Sequence, residues 1–110
     1  MSAPRRTLTV PSRVGVVTVS YRPNDIVMSD FDNAETDPHG TAARLIVSCV
    51  ARWSLVDAVS GERWPINLHG VRDLQARDKG KLVLEIAMAI ANEERVRLTE
   101  LTSDQQRMSA

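Results

Sequence analysis

The spacing of apolar residues changes several times along this chain, and each change marks an element. Thr7-Leu-Thr-Val10 and Gly15-Val-Val-Thr-Val-Ser-Tyr21 alternate with the period of a β-strand. Leu8 and Val10 share one face of the first run, and Val17, Val19 and Tyr21 share one face of the second. Pro11 to Gly15 supplies turn chemistry between them, so residues 7–21 are expected to form an antiparallel hairpin. A hairpin is marginal alone in water, and its apolar face needs something to pack on. Pro23 ends the second strand, because it cannot donate to a ladder and restricts the residue before it.

From Asp25 to Asp37 acidic residues surround Ile26, Val27, Met28 and Phe31, which fits a surface segment or a short helical turn with a few apolar anchors. Asp37-Pro38 then reads as a helix start, with a capping carboxylate followed by a proline whose missing N–H costs nothing at the first helical position. Beyond it Leu45, Ile46, Cys49, Val50 and Trp53 fall on one stripe of a helix over 38–53. Ser54 to Ile66 holds the turn residues Asp57, Ser60, Gly61 and Pro65, and is expected to be an extended, hairpin-like connection with Trp64 lying back on the core.

Asn67 is placed to cap a short helix from Leu68 to Leu74, and Asp78 to cap a long one reaching about Arg95. In the long helix Leu82, Val83, Ile86 and Ile90 form a core stripe, whereas Leu84 and Met88 project from the other side. Two apolar faces need two partners. Residues 96–110 offer little to bury and are expected to fray. These elements predict one α+β domain over residues 1–110: an N-terminal antiparallel β-hairpin on about three helices, with main helices over 38–53 and 78–95. Its core is expected to include Trp53, Trp64, Leu45, Cys49, Ile86 and Ile90.

Composition narrows the range of function. A chain of 110 residues has room for one modest core. Fourteen basic residues balance fourteen acidic ones, so no global field draws the protein to nucleic acid. Binding is expected to rest on shape and apolar contact. Cys49 has no second cysteine to pair with, and its neighbours Leu45, Ile46 and Val50 mark it as a small buried side chain in a reducing compartment. No apolar run is long enough to span a membrane.

Catalytic and metal-binding patterns are missing. His39 and His69 have no Cys or second His at ligand spacing. The run Asp30-Phe-Asp-Asn-Ala-Glu-Thr-Asp37 opens like a calcium loop, but Glu35 stands where glycine is required and Thr41 where a bidentate glutamate belongs. His69 and Asp73, four residues apart, are expected to pair at the surface, with no nucleophile elbow to serve. Lys79-Gly-Lys81 is too common to mark a phosphate site. Two capped helices between Leu68 and Ile90, with Arg72, Arg77, Lys79 and Lys81 clustered before the long one, leave a DNA-binding regulator as a third reading, although the long helix exposes little positive charge.

The order of elements, with Thr9-Val-Pro-Ser-Arg-Val-Gly15, Val19-Ser-Tyr-Arg-Pro23, a helix ending in Trp53, Leu55-Val-Asp57, Gly61, Pro65, Leu74, and then Leu82, Ile86 and Ala89-Ile90, resembles the small tail assembly chaperones of long-tailed bacteriophages and prophages. The likeness covers residues 7 to 95. It departs from the family where Gln75 and Ala76 follow Leu74 in place of an early proline, and where Lys79-Gly-Lys81 occupies a start that is more often apolar or acidic. The resemblance implies a non-enzymatic protein of the host cytoplasm with no cofactor. Its partner would be the tape measure protein, whose long apolar helices such chaperones keep soluble until the tail tube polymerises around them. It also implies self-association and a longer form made by ribosomal frameshifting, and gives no membrane or nucleic-acid partner. Leu84 and Met88 are the expected partner-binding residues, since Met suits contact with varied apolar surfaces; the alternative is that the hairpin or the acidic segment covers them. The alternative reading is a structural virion component, a connector or minor tail protein that stays in the finished particle.

Overall fold

The computed structural model describes residues 5–12, 14–26 and 33–108, with side chains described as far as Val96. Val27, Met28 and Phe31 lie outside the described residues. Among those described, the chain is an α+β domain whose N-terminal hairpin packs on helices. Strands β1 (Arg6–Ser12) and β2 (Gly15–Tyr21) pair antiparallel, Leu8 opposite Val19 and Val10 opposite Val17, so the expected apolar face is continuous across both. After a 3-10 turn at Pro23–Asp25 the described chain resumes at Asn33 and enters α1 (Pro38–Cys49). Asp37 caps α1 by accepting from the Gly40 N–H at 3.0 Å, as its place before Pro38 foretells.

Helix α1 does not reach Trp53. It stops at Cys49, and Val50–Trp53 form a third strand, β3, on the free edge of β2, with Val19 opposite Trp53 and Tyr21 opposite Val50. The apolar stripe through Val50 and Trp53 fits either element, because a bulged strand can also bury two residues three apart. Val50 (4 % exposed) and Trp53 (1 %) face the core while Arg52 faces solvent. What decides the outcome is the need of the β2 edge for backbone partners, which no helix can supply. Ser54 carries the pairing one residue further: its N–H donates to Thr18 O and its hydroxyl accepts from Thr18 N–H, both at 2.9 Å.

The connection from Ser54 to Ile66 is hairpin-like, with Val56 bridged antiparallel to Arg63 and the Trp64 N–H donating to Leu55 O at 2.9 Å. It swings Trp64 back onto the core. Helix α2 (Leu68–Asp78) is capped by Asn67, which accepts from Gly70 N–H at 2.7 Å, and it runs one turn past Leu74 because Gln75 and Ala76 suit a helix interior. Lys79 and Gly80, both at positive φ (61° and 77°), turn the chain into α3 (Lys81–Met108). Asp78 accepts from Leu82 N–H at 2.8 Å and from Gly80 N–H at 3.1 Å, so one carboxylate closes α2 and opens α3.

Helix α3 is longer than its buried stripe. The backbone stays helical to Met108, beyond the expected end near Arg95, where a frayed tail was anticipated. Residues 96–108 contain neither glycine nor proline and include Leu, Glu, Gln, Arg and Met, so nothing in them breaks a helix that is already nucleated.

One core joins the sheet and all three helices. Val17, Val19 and Tyr21 meet Leu45, Ile46 and Cys49 of α1, Val71 of α2, and Val83, Ile86 and Ile90 of α3, all buried. The six core residues expected from sequence are all within it, Trp64 being the most open at 9 %. Cys49 carries a buried thiol. At the far end of the sheet the Tyr21 hydroxyl donates to Glu94 Oε1 at 2.7 Å, and Arg6 approaches Glu93 at 3.1 Å and Glu94 at 3.6 Å, tying β1 and β2 to α3.

Candidate functional site

Leu84 and Met88 stand one helical turn apart on α3, off the Val83–Ile86–Ile90 stripe, because that spacing places them on a second face. Leu84 is half-buried and packs against the core, whereas Met88 is 62 % exposed. Between them and α1 runs an apolar groove of about 270 Å³. Pro38, Thr41, Ala42 and Leu45 form its α1 wall, Leu84, Ala87, Met88 and Ala91 its α3 wall, and Ala34 closes one end.

Small residues make the groove. Ala42 and Ala87 are nearly buried where α1 and α3 approach, and with Ala91 they leave the space that longer side chains would fill. Among the described lining residues Thr41 has the polar side chain, and it accepts from Arg44 Nη2 at 3.3 Å through its hydroxyl. Among the described residues no charged side chain lines the groove. These residues can exchange apolar surface for water.

The structure brings the two expected partner-binding residues together on one wall. The opposite wall, Pro38, Thr41, Ala42 and Leu45, was not read from sequence. Leu45 was read only as core, and it is both: 2 % exposed, yet at the base of the groove. A usable signal was present in Ala42-Ala43 on one helix and Ala87, Ala89 and Ala91 on the other, since small residues on facing helices bring the backbones close.

The remaining candidates are dispersed. His39 is exposed in the first turn of α1 and His69 is exposed on α2. Among the described residues no group of three or more His, Cys, Asp or Glu is placed to hold a metal ion. Asp73, expected to pair with His69, approaches Arg77 at 3.9 Å, and the Arg77 guanidinium lies 4.9 Å from the centre of the Trp64 ring. Arg77 is thus engaged with its own helix and an indole face, where the sequence reading offered it to DNA. A shallow polar hollow there is lined by Asp57, Glu62, Trp64, His69, Asp73 and Arg77 among others. Among the described residues no helix is long and apolar enough to cross a membrane.

Compared with protein-family models, curated proteins and solved structures, the chain matches none.

Proposed function

We infer that the protein is a phage tail assembly chaperone that holds apolar helical segments of the tape measure protein in the groove between α1 and α3. The observation that carries this reading is the groove itself: an uncharged lining with Met88 exposed on its rim. Its volume of about 270 Å³ admits a few side chains and not a whole helix. A partner helix would lie across it and insert apolar residues spaced three or four apart, with Met88 adapting to whichever side chain arrives. The resemblance carried by the residues from Thr9 to Ile90 points to the same class of partner.

A chaperone of this type has to release its client, so the interaction should be modest in area and apolar in character. The described groove residues carry no ionised group, so binding through them should change little with salt. Self-association and a longer frameshifted form belong to the same proposal.

Co-expression with the tape measure protein of the same genome tests the reading. The expected result is a soluble complex from which the tape measure protein precipitates when this chain is omitted. Mass spectrometry of purified particles then separates a chaperone, which is absent from them, from a structural virion component, which remains. An insoluble tape measure protein in both expressions would contradict the proposal.

A further inference from the structure

The outward face of the sheet carries a hollow of different chemistry. Strand register sets Thr7 opposite Ser20 and Ser20 opposite Arg52, a row running across β1, β2 and β3. Each lies next in sequence to an inward residue (Leu8, Val19 and Trp53), so the alternation of the strands turns all three to solvent. Thr18 and Ser54 continue the surface, and Arg5 and Arg63 flank it. Together these residues line a space of about 380 Å³, within the range of roughly 300–1,000 Å³ usual for small-molecule sites.

Three guanidinium groups border this hollow, and among the described residues no carboxylate lines it. That is a local segregation of charge in a chain whose basic and acidic residues balance at fourteen each. Asp57 and Glu62 lie in the neighbouring hollow, which Arg63 also borders. Arg63 is held in place, donating from Nη1 to Trp53 O at 3.1 Å, and has further N–H groups to offer. Arg5 and Arg52 are exposed. The Ser54 hydroxyl accepts from Thr18 N–H and keeps its own proton to donate.

We propose that this arginine and hydroxyl face is a phosphate-binding site, with Arg5 and Arg52 as charged contacts and Arg63 as an anchored third. Planar guanidinium groups match the paired oxygens of a phosphate, and hydroxyl donors satisfy the remaining ones. A single carboxylate would leave most of the positive charge unbalanced, whereas a diphosphate or a phosphodiester chain would not. Trp53 underlies the hollow but is 1 % exposed, so no aromatic face is open for bases to stack on. A nucleic acid bound here would be held by its backbone alone, without regard to sequence. The site is independent of the α1–α3 groove.

Isothermal titration of the full chain tests this with two probes, inorganic pyrophosphate and a short mixed-sequence single-stranded oligonucleotide, at about 50 and about 200 mM salt. Saturable binding is expected, weakened roughly tenfold by Arg52→Gln, which removes one charge-assisted contact. Arg5→Gln, which lies before β1 and cannot disturb the sheet pairing, should act in the same direction. Arg72→Gln, exposed on α2 away from this face, should leave binding unchanged. Tighter binding of the oligonucleotide with a steep salt dependence identifies a nucleic-acid backbone as the source of the phosphate, and equal or tighter binding of pyrophosphate identifies a small phosphorylated ligand. Failure of both probes to saturate at the lower salt overturns the proposal, as does binding that Arg5→Gln leaves intact or that Arg72→Gln weakens as much.

Discussion

The indole of Trp53 donates its N–H to the backbone carbonyl of Trp64 at 2.8 Å, and the indole of Trp64 donates in turn to the carbonyl of Gly70 at 2.8 Å. Two aromatic side chains thus link the third strand, the hairpin-like connection and the first turn of α2 in one relay. Each buried indole has an apolar body to place in the core and a donor that must find a partner. The backbone of the next element supplies that partner in both cases, which fixes how the connection folds back.

Trp53→Phe retains most of the apolar volume but leaves the Trp64 carbonyl without its donor. The expected loss is about 1–3 kcal/mol, the cost of an unpaired buried polar group, against about 3–5 kcal/mol for Trp53→Ala, which also opens a cavity. Urea unfolding followed by circular dichroism measures both. Equal stability of Trp53→Phe and the parent would remove the relay from the account.

Gly70→Ala sets two effects against each other. Alanine is the better helix former by about 1 kcal/mol, but a Cβ at this position would stand 2.5 Å from Pro65 O and 3.1 Å from Pro65 Cβ. The turn at Pro65 would have to move away from α2, and the Trp64 anchor with it. A net destabilisation of about 1–3 kcal/mol is expected from such overpacking. A stabilised variant in the same unfolding experiment would show that the approach of Pro65 to α2 is loose.

Much of this architecture is legible in the sequence, and the exceptions have physical causes. The hairpin, the caps at Asp37, Asn67 and Asp78, and the core stripe of α3 depend on residues close together in the chain, so spacing and capping chemistry reveal them. Strand β3 depends on the unpaired edge of β2, about thirty residues away, and local periodicity favours the wrong element there. The α3 face carrying Leu84 and Met88 is likewise legible as a surplus of apolar positions. The α1 wall of the groove is not, because Pro38, Thr41 and Ala42 become a wall only when α1 lies against α3.

Tyr21 gives the fold a pH dependence at the alkaline end. Burial first, and then the hydrogen bond and charge of Glu94, hold its hydroxyl protonated well above the ordinary value of 10.0. Above that pH the unfolded chain releases this proton while the folded chain keeps it, so stability falls as pH rises. The slope from this one group is about 1.4 kcal/mol per pH unit. Below pH 10 the contribution is fully present. Tyr21→Phe should lower stability at neutral pH by roughly 1.5 kcal/mol through loss of the bond to Glu94, and should flatten the decline above pH 10. Unfolding curves for both proteins from pH 8 to 11 check this, and parallel slopes would contradict it.

The proposed contact between the rim of the α1–α3 groove and a client chain is tested by Met88→Asp. Met88 is 62 % exposed, so its replacement should change stability by no more than about 0.5 kcal/mol. Val59, 97 % exposed in the connection before α2, provides a matched control outside the groove lining as Val59→Asp. Each variant is co-expressed with the tape measure protein, and the soluble fraction of that client is measured. Met88→Asp should lose most of the soluble client while Val59→Asp retains it. A client as soluble with Met88→Asp as with the parent chain would contradict the proposed contact.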